Sequence, residues 1–155
     1  MEFQLNLASE TVAQTRPQKP LIVAPSLCFR DVLELMQARK RGSVVICSED
    51  GELAGIFTER DVVRLLAADA ALDTPINEVM VPDPVSVKEN DTVGQAIATM
   101  AKGGYRRLPV VDAAGHPIGV LGVSRLLEYL VGHFPKVVYT LPPQPHRASQ
   151  EREGA

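Results

Sequence analysis

Between residues 21 and 134 the alternation of polar and apolar positions changes period several times. "FRDVLELMQARK" and "DTVGQAIATMAK" space their apolar residues three and four apart, the stripe of an amphipathic helix. Each is followed by a short run rich in β-branched residues, "SVVICS" and then "RLPVVD", which predicts a buried strand. "EDGE" and "AAGH" supply glycine-centred turns, and "LAGIFT" and "PIGVLG" return as the second strand of a hairpin. "ERDVVRLLAAD" and "VSRLLEYLVG" resume the helical stripe and close each set. Ahead of the second set, "DTPINEVMVPDPVSV" predicts a short helical turn and one extended, proline-bounded strand. Asp91 is the expected N-cap of the helix that follows.

The two sets are one set written twice. Gly51 falls on Gly115 and Gly55 on Gly119, both 64 positions apart. Without a gap, the same offset carries Val32, Leu33 and Met36 onto Ala96, Ile97 and Met100, Ile56 onto Val120, and Val62 onto Leu126. A stacked solenoid needs about three copies, so two predict a closed, pseudo-symmetric pair. The chain divides into an N-terminal arm (1–20), a first repeat (21–73), a second repeat (74–134) and a C-terminal segment (135–155). The arm is polar and aperiodic and is expected to be irregular. In the last segment "KVVYT" predicts one more strand, and "LPPQPHRASQEREGA" has the composition of a disordered tail.

Composition narrows the function classes. Of 155 residues, 45% are hydrophobic but only 5% aromatic, with no Trp, so the core must be aliphatic. A net charge of −3 leaves no electrostatic footprint for nucleic acid. No apolar run approaches the roughly 20 residues of a membrane span, and "MEFQLNLASE" lacks the basic start and apolar stretch of a signal peptide. A cytoplasmic chain without membrane or nucleic-acid partners is expected. Cys28 and Cys47 do not make a disulfide framework, and Cys47 reads as a small buried thiol. His116, His133 and His146 are isolated, with no metal-ligand spacing. There is no phosphate-cradling glycine-rich loop, and neither cysteine adjoins a candidate base. No enzyme is expected.

"GIFTERDVV", "MVPDPVSV" and "GYRRLPVVD", in that order within a repeat, resemble the signatures of tandem CBS domains, the cystathionine beta-synthase-type regulatory modules. The resemblance covers about residues 21–134. It implies an α/β (α+β) fold of two βαββα repeats packed about a pseudo-twofold axis. It also implies an adenosine-containing ligand in a cleft between the copies, and chains that commonly pair into discs. AMP, ADP or ATP is the expected ligand, S-adenosylmethionine a less favoured one, and the regulated partner stays unknown.

In the family, G-h-x-T/S-x-x-D/N (h apolar) recognises ribose, and Gly55-Ile56-Phe57-Thr58-Glu59-Arg60-Asp61 is similar at every specified position. A carboxylate suits the task because it accepts from two hydroxyls at once. Read without the family, Thr58 and Asp61 form a capping box that starts a helix; Thr58 can serve both purposes. The facing motif is similar to Gly104-Tyr105-Arg106-Arg107-Leu108-Pro109. Tyr105 would cover or line the adenine pocket, Arg106 or Arg107 would meet phosphate, and Pro109 closes the motif. Met80, Val81, Pro82 and Val85 belong to the segment whose backbone reads adenine in the family; otherwise they are a proline-stiffened entry into a strand.

The second cleft departs from the pattern. Gly122 replaces Thr, Arg125 replaces the acid, and Val45 stands where Pro109 does. Nothing there accepts a diol. Arg39, Lys40, Arg41 and Arg125 make either an anion site or a solvated basic edge. Finally, Val123, Leu126, Leu127, Tyr129, Leu130 and Val131 wrap more of helix 123–131 than one core-facing stripe, which predicts a homodimer through these helices.

Overall fold

A computed structural model describes residues 7–133; residues 1–6, the expected strand "KVVYT" and the tail lie outside them. Two sheets carry the architecture. In the first, β1 (Ile22–Val23), β2 (Ser43–Cys47), β3 (Leu53–Thr58) and β4 (Val81–Pro82) lie in that order. In the second, β5 (Val87–Lys88), β6 (Arg107–Val111) and β7 (Pro117–Gly122) follow one another. Helices α1 (Phe29–Arg39) and α2 (Glu59–Ala67) belong to the first repeat, α3 (Val93–Gly103) and α4 (Val123–His133) to the second. This is the mixed α/β pair of repeats that the pattern predicts.

Burial explains why β2 is apolar from Val44 to Cys47. Val44 and Ile46 join the first repeat's helix-facing core with Phe29, Phe57 and Leu65, while Val45 and Cys47 touch Val120 of the opposite sheet. A strand covered on both faces cannot alternate. Phe29 and Phe57 meet edge to face, with ring centroids 5.8 Å apart at 73°. Both hairpins turn on a glycine in the left-handed region, Gly51 at φ 83° and Gly115 at φ 84°. The tips also touch: the Leu53 N–H donates to the Gly115 carbonyl at 3.1 Å.

The proline-bounded segment is two strands rather than one. β4 pairs antiparallel with β3 of the first repeat, and β5 pairs parallel with β6 of the second. Asp83, at φ 45°, takes the left-handed conformation between them and ends the first strand. Pro82 is tolerated because β4 is an edge strand.

The N-cap of α3 is Thr92, not Asp91. The Thr92 hydroxyl accepts the Gln95 N–H at 3.0 Å, and the Gln95 side chain accepts the Thr92 N–H at 2.8 Å, a complete capping box. The Asp91 carboxylate instead accepts the Lys88 N–H at 2.9 Å, one turn earlier.

Residues 7–20 are irregular but not loose. Val12 opens a 3-10 turn (Val12–Thr15) and is fully buried in the second repeat's core. The offset of 64 carries this turn onto Ile76–Glu78, whose Ile76 is fully buried in the first repeat. The backbone contacts match. Val12 donates to the Asp91 carbonyl and Ile76 to that of Leu27, both at 2.8 Å. Val93 donates to Glu10 and Phe29 to Thr74, again both at 2.8 Å. Each repeat's lead-in is therefore seated on the other repeat. The Tyr129 hydroxyl on α4 donates to Glu10, and burial together with that hydrogen bond pushes the phenol well above its usual range. Val12→Ala removes two buried methyl groups and leaves a cavity, costing about 2 kcal/mol. Melting should fall by about 4–8 °C; an arm that contributed nothing would leave it unchanged.

Candidate functional site

The end of β3 and the start of α2 set the first half of the site. Thr58 is the N-cap of α2, at φ −124° and ψ 171°, and Asp61 occupies the third helical position. One oxygen of the Asp61 carboxylate accepts the Thr58 N–H at 3.0 Å and its hydroxyl at 3.3 Å. The other accepts from the Arg64 guanidinium at 3.2 Å. Asp61 is 6% exposed. In the free chain, then, the residue expected to hold a diol is engaged in capping the helix and pairing with Arg64. A carboxylate has about four lone-pair positions, so one remains after these three contacts. An incoming pair of hydroxyls must displace Arg64, whose side chain is 61% exposed.

The segment expected to read adenine lies beside this turn. Ile56 pairs with Val81 and Gly55 with Pro82, and the Asp83 N–H donates to the Ala54 carbonyl at 3.0 Å. The Met80 thioether covers Gly55 and leaves no room there for a side chain. Val81, Pro82 and Val85 are exposed.

From the second repeat, Arg107 completes the cluster. It is the first residue of β6, and its guanidinium crosses to Glu59, the first residue of α2, at 3.2 Å. Its guanidinium lies against Gly42, where a Cβ would clash with both Arg107 and Glu59. Pro109 is buried opposite Val120 in the β6–β7 ladder. The Tyr105 ring is folded back over Gly103, the last residue of α3. Arg106 is exposed, and its backbone carbonyl accepts the Val123 N–H at 3.0 Å. Arg60 is exposed as well. The geometry thus joins "GIFTERD", "MVPDPV" and Arg107, while Tyr105 is turned onto α3.

Beside the Glu59–Arg107 pair an open groove of about 600 Å³ runs between α1 and α2, with Leu33, Met36 and Val62 among its walls and Lys40 and Arg41 at one end. A second cavity, of about 360 Å³, lies where the arm crosses β7 and is lined by none of the residues expected to bind the ligand.

At the pseudo-equivalent turn of the second repeat, Arg125 pairs with Glu128 at 3.3 Å. The offset of 64 makes this the Asp61–Arg64 pair with both signs reversed. Helix α4 forms over Val123–His133 without a Thr/Asp pair at its start. Sequence reasoning missed the partners Arg64 and Gly42. The inversion of Asp61/Arg64 into Arg125/Glu128 was visible in the repeat and would have pointed to Arg64.

Among the described residues no group of three or more His, Cys, Asp or Glu side chains is placed to hold a metal ion. Burial pushes the Cys47 thiol up, away from the thiolate a nucleophile needs. His116 is exposed at its hairpin, where its backbone N–H helps hold the Asp112 carboxyl below the ordinary range. No helix among the described residues is long and apolar enough to cross a membrane.

The family model for the CBS domain matches residues 17–68 and 76–132. The chain belongs to the CBS-domain family. It is 28% identical over 120 residues to an uncharacterized 17.7 kDa protein of Acidianus ambivalens, spanning 77% of this chain and 73% of that one. A CBS domain-containing protein of Arabidopsis thaliana is 31% identical over 119 residues, but the match spans only 22% of the plant protein. Among solved structures, a CBS domain protein from Pyrobaculum aerophilum complexed with AMP superposes with a TM-score of 0.71 at 23% identity, covering 79% of this chain and 98% of that one. The CBS domain pair of protein MJ0100, in complex with 5′-methylthioadenosine and S-adenosyl-L-methionine, gives 0.72 at 20% identity, with 79% and 97% covered. At these identities the likeness is one of fold.

Proposed function

We propose that this CBS pair is a non-catalytic regulatory module that binds an adenosine-containing ligand in one inter-repeat cleft and reports its level to a partner. AMP, ADP or ATP is favoured over S-adenosylmethionine. The observation that carries this reading is one-sided convergence. "GIFTERD" lies against "MVPDPV" and within reach of Arg107, whereas the pseudo-equivalent cleft offers Gly122 and Arg125 in place of Thr58 and Asp61. In the ligated form Asp61 exchanges Arg64 for the ribose hydroxyls, Met80, Val81, Pro82 and Val85 face the base, and Arg107 or Arg106 meets phosphate. Thr58, Glu59 and Arg60 form the turn around the sugar, Pro109 backs it, and Tyr105 swings from Gly103 onto the adenine. The AMP and S-adenosylmethionine complexes of the two structural neighbours support this class of ligand. Binding moves the repeats only by the difference in its affinity for their two arrangements.

Two chains would associate through α2 and α4. Val63 and Leu127, 64 positions apart, are 67% and 58% exposed, with Leu66 and Val131 beside them. Such apolar faces are normally covered. A second reading, an interaction scaffold with vestigial clefts, is favoured by the internally satisfied Asp61 carboxylate.

Thermal melting with AMP, ADP, ATP or S-adenosylmethionine separates the two. A ligand at about 100 times its dissociation constant adds about 2.7 kcal/mol, which in a chain of this size raises melting by about 5–11 °C. No shift from any of the four would leave the scaffold. Native mass spectrometry gives the chain count in the same preparation.

A further inference from the structure

The Glu59–Arg107 pair links two elements that belong to different repeats, the first turn of α2 and the first residue of β6. The Asp61–Arg64, Asp112–His116 and Arg125–Glu128 pairs each lie within one repeat. The offset of 64 carries Glu59 onto Val123 and Arg107 back onto Ser43, so the equivalent positions of the other cleft carry no charge for such a contact. Among the described residues the link therefore accompanies the intact Thr58/Asp61 pattern. Its surroundings favour exchange. Gly42 presents no side chain to the guanidinium, and one Glu59 oxygen meets one Arg107 nitrogen. The two side chains are 67% and 34% exposed, which places the pair among the weak, solvent-screened ones. A phosphate offers a guanidinium two parallel contacts and a larger charge.

We infer that Glu59 is a specificity-determining residue of this cleft: it holds Arg107 as an internal counter-anion, and only a ligand carrying phosphate replaces it. The inference rests on the binding function proposed above. Adenosine leaves the pair closed. A phosphorylated adenosine takes Arg107 from Glu59, and in doing so breaks an ion pair that fastens the two repeats together. Phosphate recognition and inter-repeat release thus become one event. Glu59 also lowers the affinity for every phosphorylated ligand by the cost of breaking the pair, which sets the concentration at which the cleft fills.

The test is calorimetric titration of AMP and of adenosine into the wild-type protein, Glu59→Gln, Arg107→Ala and the double variant. Glu59→Gln should raise the ratio of AMP to adenosine affinity by about 1.4- to fivefold, the range open to an exposed pair. Arg107→Ala should bring AMP close to adenosine, and adding Glu59→Gln to it should change nothing further. A gain that persists without Arg107 would mean that Glu59 acts only by repelling phosphate, which overturns the exchange. So would equal tightening of adenosine, or an unchanged ratio in Glu59→Gln. Wild-type protein that binds neither probe would overturn the proposed function and this inference together.

Discussion

Asp61→Ala removes the stabilisation by AMP while lowering the protein's own melting temperature only modestly. The first effect is the whole ligand increment, about 2.7 kcal/mol at 100 times the dissociation constant, or about 5–11 °C. The second is the loss of a helix cap, about 1 kcal/mol and so about 2–4 °C. The two are separable because the structure gives Asp61 two sets of contacts. One oxygen serves the Thr58 N–H and hydroxyl, and the other holds the exposed Arg64, which a diol can displace. Asp61→Asn sharpens the comparison, since its amide oxygen keeps an acceptor for the Thr58 N–H but carries no charge. Melting curves with and without AMP settle the matter. A variant that melts far lower yet keeps its full AMP shift would show that the carboxylate serves the helix alone.

Phe57→Ala costs about 3–5 kcal/mol, so the midpoint of thermal unfolding drops by about 6–20 °C. Phe57 and Phe29 are both fully buried and pack edge to face in the first repeat's core. The chain has only four Phe, three Tyr and no Trp, so few rings exist to share the load. Val44, Ile46 and Leu65 surround the pair and cannot fill a ring-sized void without moving β2. Phe57 also immediately precedes Thr58, so any relaxation of β3 reaches the cap. Urea unfolding checks the mechanism: the midpoint should fall with the slope unchanged. A shift under 2 °C would mean that the core closes over the cavity.

Most of the architecture was legible because burial imposes it on each segment separately. The four helices show their stripes, the hairpins carry their turn glycines, and the gapless offset relates the halves. Most of what escaped notice depends on distant partners. Val12 is a lone apolar residue in a polar stretch, and its burial depends on a seat in the other repeat. Thr92 and Asp91 are both good caps by type, and only Gln95, three residues beyond Thr92, decides between them. The segment around Pro82 and Pro84 read as one strand because nothing local reveals that β4 and β5 pair with different sheets. At the site, the motif residues were legible but their resting partners were not. Arg64 was signalled only by the sign inversion between the repeats, and nothing local pairs Glu59 with Arg107 until the fold sets them side by side.

The crossed lead-ins have a consequence during synthesis. Val12 hydrogen-bonds to Asp91 and is buried in a core completed by Leu126. At roughly 5–20 residues per second, Val12 is joined about 6–23 seconds before that leucine. The first repeat closes earlier, once Ile76 is made. The nascent chain therefore carries one finished half and one unseated clip until α4 is made and lets the clasp shut.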